Sequence, residues 1–129
     1  WWRESLKSLI PEVKNKGIKI GAGTDVSYFP GALHIELEEL VDAGFSPMEA
    51  IVSATGNAAK ILGAEEEIGT IEEGKRADLI LLDADPLEDI RNTREIYKII
   101  KGGEIVDRER ILEWAREMQD INQIDEQEE

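Results

Sequence analysis

The hydrophobic period of this chain changes at Gly63 from helical to strand-like, and that change limits the folds open to it. Up to Gly63 the apolar residues mostly recur at helical spacings of three and four. From Ile68 to Val106 they fall in short runs broken by turn residues, the pattern of strands. One β-branched run, Ile18-Lys19-Ile20, interrupts the helical part and leads through small residues to Thr24-Asp25. Helix, short loop and buried strand make the αβ unit of a parallel sheet or barrel, so the fold class is α/β, an α/β piece followed by a β piece.

The elements follow from local signals. Trp2, Leu6, Leu9, Ile10 and Val13 outline an amphipathic helix, with Pro11 predicting a kink or a restart and Gly17 a stop. Residues 26–33, with Pro30 and Gly31, read as a loop. From His34 a second helix places Leu33, Leu37, Leu40 and Val41 on one stripe and Glu36, Glu38, Glu39 and Asp42 on the wet side. Ser46-Pro47-Met48-Glu49 combines a cap, a first-turn proline and a capping box, and predicts a helix to about Ala54. Thr55-Gly56-Asn57 breaks it, and Ala58 to Leu62 form a further short helix. Strands are expected at Ile68–Ile71, at Ala77–Asp83, and on either side of Gly102-Gly103, a two-residue hairpin loop. Ile111, Trp114, Ala115, Met118 and Ile121 share one face of a closing helix.

Charge narrows the partners. Fifteen Lys and Arg stand against 29 Asp and Glu, a formal charge of −14, half of which lies beyond Gly103. Such a surface repels phosphate backbones and anionic membranes, so neither nucleic acid nor membrane is expected as a partner. The absence of cysteine excludes a disulfide framework, a thiolate metal cluster and a Cys nucleophile. No apolar run approaches the roughly 18 residues of a membrane span, and no signal-peptide pattern is present, which gives a cytoplasmic expectation.

Two residues are candidates for chemistry. Asp25 stands at the C-terminal mouth of the expected strand, where barrel enzymes place catalytic and metal-binding groups. A carboxylate there can bind Zn²⁺ and accept a proton from an activated water, or it can cap the backbone of its own loop. His34 is the sole histidine, so the chain cannot supply the two or three of a usual zinc site. Its place beside a Pro-Gly loop allows substrate contact, or a plain structural role at a helix start. Gly21-Ala22-Gly23-Thr24 lacks the third glycine of a dinucleotide loop and the Gly-Lys of a P-loop. Asp83, Asp85 and Asp89 lack the glycine and glutamate of a calcium loop and read as a turn.

The succession Gly23-Thr24-Asp25, Glu36-Leu37-Glu38-Glu39-Leu40-Val41, Ser46-Pro47-Met48-Glu49-Ala50, Ala54-Thr55-Gly56-Asn57-Ala58-Ala59, Ile68-Gly69-Thr70-Ile71-Glu72-Glu73-Gly74-Lys75 and Ala77-Asp78-Leu79 resembles the C-terminal portion of the amidohydrolase superfamily. It is most similar to the imidazolonepropionase-like and prolidase-like metal-dependent hydrolases. The resemblance implies a (β/α)8 barrel with a composite β-sandwich, of which 1–63 would be the last strand and C-terminal helices, 64–107 sandwich strands and 108–129 an acidic helix and tail. It implies that Asp25 is both catalytic residue and metal ligand, that His34 borders the substrate, and that the intact enzyme uses a divalent metal, zinc by preference, on a small-molecule substrate with a C–N or related ester bond. The family's metal histidines have no counterpart here. The expectation is therefore a C-terminal fragment, cut from something longer because it opens on Trp1, inactive alone and holding no metal tightly. Its uncovered apolar faces and strand edges predict a homo-oligomer. The alternative is a non-catalytic interaction module that retains the tail of the fold.

Overall fold

The structure is a computed structural model that describes residues 2–25 and 31–114, the side chains of Trp2, Arg3 and Leu6 excepted. Four helices come first: α1 (Trp2–Asn15), α2 (Ala32–Asp42), α3 (Pro47–Ala54) and α4 (Gly56–Leu62). They are followed by strand β1 (Leu79–Leu82), a 3-10 helix (Ile90–Arg94), β2 (Ile96–Lys101) and β3 (Glu104–Ile105). Residues 108–114 are helical, whereas Ala115, Met118 and Ile121 of the expected closing helix lie outside the described residues. No described helix is long and apolar enough to cross a membrane.

Local chemistry explains most of these boundaries. At the end of α2 the Phe45 N–H donates to the Leu40 carbonyl and the Gly44 N–H to the Val41 carbonyl, with Gly44 at φ 105°. This closing motif needs a residue that tolerates positive φ, and it turns the chain directly into α3. There Ser46 accepts from the Glu49 N–H at 3.3 Å while the Glu49 carboxylate accepts from the Ser46 N–H at 2.8 Å, the reciprocal box expected from sequence. Replacing Ser46 by alanine should cost about 1 kcal/mol, read as a lowered urea midpoint.

The first helix runs through Pro11 as one element, so the helix does not restart there. Pro11 removes one donor, but Ile10 beside it is buried in the core, and that anchorage holds the helix together across the gap. Two expectations are corrected. The run at 18–24 forms no regular strand, and neither does 68–71, where residues 68–70 are bends. A strand exists only through a ladder, and among the described residues neither run has a partner strand. The chain break before α4 is also shorter than expected, confined to Thr55, because Gly56 and Asn57 are already helical.

The core is formed by Ile10, Leu37, Ala43, Phe45, Ala50 and Ile90, drawn from α1, α2, the α2–α3 turn, α3 and the 3-10 helix. Beyond it, the antiparallel sheet runs β1-β2-β3, with Leu79 opposite Ile100 and Ile100 opposite Ile105, and a register irregularity between Leu81 and Leu82. The Gly102-Gly103 hairpin joins β2 to β3 as the dipeptide predicts. Many large apolar side chains stay exposed, Ile71 at 87% and Leu62 at 76% among them.

Ion pairs tie these parts together. Lys14 of α1 reaches Glu49 at 2.8 Å and lies 5.1 Å from the Phe45 ring centre. Its hydrogen bond, with those from Ser46, draws the Glu49 carboxyl down to about 2. At the sheet, Lys101, the Gly102 N–H and Arg76 converge on Asp78 and bring it to about 2 as well. Both groups bind protons more weakly folded than unfolded. Their stabilisation is therefore complete above the unfolded carboxylate range, and is lost as pH falls through that range toward 2. The urea midpoint should drop steadily from pH 5 to about pH 2. A midpoint that is flat across that interval would show these pairs to be without effect.

Candidate functional site

The segment 18–25 owes its course to the helices rather than to a sheet. The Ala22 N–H donates to the Ser53 carbonyl of α3 at 3.0 Å. Asn57 Nδ2 of α4 donates to the Ile20 carbonyl at 3.2 Å. The Gly23 N–H donates to Glu36 Oε1 of α2 at 2.8 Å. Small residues allow this close seating: a Cβ on Gly21 would stand 2.8 Å from Ile61 Cδ1. Three helices thus guide one extended segment to its end at Asp25.

Asp25 is exposed at that end, and no hydrogen bond engages it among the described residues. Residues 26–30, which the capping alternative for Asp25 involves, lie outside the described residues. A free carboxylate of this kind can serve as an anionic ligand or take up a proton. It does not make a metal site alone: no group of three or more His, Asp or Glu among the described residues could hold an ion. The residues present fit one ligand of a metal, not a complete centre.

His34 sits in the first turn of α2, half-buried, with Nδ1 3.0 Å from Thr93 Oγ1. Thr93 donates its single hydroxyl proton to the Ile90 carbonyl at 2.8 Å. With the Thr93 proton on Ile90, the contact with His34 is donation from Nδ1–H, the tautomer that leaves Nε2 as an acceptor. Burial lowers the pKa of His34, the nearby Arg94 guanidinium lowers it further, and Glu38 opposes them. Arg94 in turn pairs with Glu38 at 2.6 Å. His34 therefore looks toward the 3-10 helix. Glu36, two residues on, lies across α2 from it and looks toward Gly23, since positions two apart do not share a helix face.

Glu36 and Asn57 are the residues that the sequence pattern misses. Glu36 falls on the expected wet side of α2, and Asn57 in an expected helix break, yet both bind the segment that carries Asp25. A separate cleft of about 450 Å³, with Glu38, Asp42, Glu88, Asp89 and Arg91 in its lining, shares no residue with that segment.

The chain belongs to the amidohydrolase family, whose profile matches residues 3–106. It is 38% identical to a 5-methylthioadenosine/S-adenosylhomocysteine deaminase of Symbiobacterium thermophilum, covering 59% of this chain and 20% of the relative. An imidazolonepropionase of Caldanaerobacter subterraneus subsp. tengcongensis is 39% identical over 57% of this chain and 19% of its own. Among solved structures, a Xaa-Pro dipeptidase with methionine bound in its active site superposes with TM-score 0.71 at 35% identity, over 81% of this chain and 25% of that one. The chain thus spans a fifth to a quarter of the length of these relatives.

Proposed function

We propose that this chain supplies the Asp25 end of a metal-dependent hydrolase that cleaves amide, cyclic amide, peptide-like or related ester bonds in a small molecule. The observation that carries the reading is the placement of Asp25, exposed and without a hydrogen bond among the described residues, directly after a segment that α2, α3 and α4 hold in place. Relatives named as deaminase, imidazolonepropionase and dipeptidase support the bond class. In the full barrel, segment 18–24 is the last strand and β1 to β3 belong to the composite sandwich. A divalent metal, zinc by preference, supplies an acidified water when bound. Asp25 is its one ligand from this chain and a place to hold a proton; His34 offers Nε2 to the substrate. The isolated chain is inactive, because one carboxylate does not retain a catalytic zinc.

Reconstitution tests this. Joined in register to the upstream segment of the Xaa-Pro dipeptidase, the chain is expected to give metal-dependent hydrolysis of an Xaa-Pro dipeptide. Alone with equimolar zinc it should give none. Turnover and stoichiometric zinc in the isolated chain would overturn the division of the site. An inactive joined protein, beside an active native dipeptidase, would overturn the hydrolase reading.

The exposed apolar residues, Leu62 and Ile71 foremost, favour a further reading in which these faces bind other chains, a second copy included. A monomer by light scattering at micromolar concentration would refute self-association.

A further inference from the structure

We infer that Glu36 is the positioning residue for Asp25: its carboxylate accepts the Gly23 N–H and fixes the direction in which the segment reaches Asp25. The inference rests on the reading of Asp25 as the reacting carboxylate.

In a sheet, the Gly23 amide would donate to the next strand. Among the described residues no strand pairs with 18–25, and the donor goes instead to Glu36 Oε1 at 2.8 Å. An ionised acceptor makes this a charge-assisted bond, stronger than one between neutral groups. Of the four bonds that hold the segment, those at Ile18, Ile20 and Ala22 lie farther back. Among the described residues the Gly23 bond is the last before Asp25. It joins positions 13 apart in the chain. Glu36 is half-buried, unlike a purely solvated helix glutamate, and it stands opposite His34 on α2. One helix therefore sets both candidate groups, His34 through Thr93 and Asp25 through Gly23.

The test uses the ¹⁵N-labelled full chain. The wild-type Gly23 amide should exchange about tenfold more slowly than in E36A. E36Q keeps an acceptor, so it should retain the slow exchange. E36A should lose it and show lower order parameters at residues 23–25, with an almost unchanged urea midpoint. In the joined protein, E36A should lower kcat by about 10–100-fold with KM little changed, and E36Q should restore most of it. A Gly23 amide that behaves alike in wild type and E36A overturns the inference. So does an unaltered kcat in E36A. Loss of hydrolysis in the wild-type joined protein overturns the reading beneath it, while the Gly23 amide still decides whether the bond exists.

Discussion

Gly69→Ala is expected to lower the stability of the chain by about 2–5 kcal/mol, read as a large fall in the urea midpoint. Gly69 has φ +95°, and a Cβ there would lie 2.5 Å from Ala59 Cβ, 3.1 Å from the Thr55 carbonyl oxygen and 3.2 Å from Gly56 Cα. Two costs combine. An L residue at such a φ costs about 1–2 kcal/mol, and inserting a methyl into occupied space costs about 1–3 kcal/mol more. Relief is restricted, because two of the three obstructing atoms are backbone atoms at the junction of α3 and α4. Gly74→Ala separates the terms: Gly74 has φ +89° but nothing within 4 Å of its Cβ position, so it should show the backbone cost alone. Equal losses in the two variants would show that the close approach contributes nothing. If the larger loss is found at Gly69, that contact is the clamp between the helical layer and the turns that lead to β1.

What could be read from sequence divides by the range of the interaction. The Ser46–Glu49 box, the helix-ending Gly44 and Gly63 and the Gly102-Gly103 hairpin all act within a few residues, and all lie where their local chemistry puts them. The runs at 18–24 and 68–71 carry strand-like composition but form no strands, because strand formation is a property of a pair and β-propensity records only a preference for such a surface. Gly69 packs on Gly56 and Ala59 of α4, a contact between distant small residues that the period, which reads Ile68 to Ile71 as a strand, does not register. The candidate site divides in the same way. The place after a β-branched run makes Asp25 a candidate, and the resemblance to the amidohydrolases agrees with the family found. Glu36 was not legible, since a glutamate on the polar side of an amphipathic helix has the same appearance whether it meets water or an amide 13 residues away. His34 was visible as a candidate, but its tautomer depends on Thr93, 59 residues distant, and on the commitment of the Thr93 proton to Ile90.

Asp25→Asn in the joined hydrolase should reduce kcat by about 10²–10⁴-fold at neutral pH, the range spanned by general acid–base groups. Asparagine keeps the size and branching of the side chain, so steric rearrangement is a poor explanation for such a loss. What disappears is the negative charge and the ability to hold a proton. Stability should hardly change: Asp25 is exposed and, among the described residues, accepts no hydrogen bond that the amide would break. Asp25→Glu is the informative partner. It restores the charge but extends the side chain by one methylene, and a displacement of about 1 Å at a reacting group can itself cost about 10²-fold. A glutamate variant as impaired as the asparagine variant would make placement as important as charge, which is what a segment anchored by Glu36 implies. A variant series with full turnover throughout would return Asp25 to the other role its position allows, a cap on the loop that it opens.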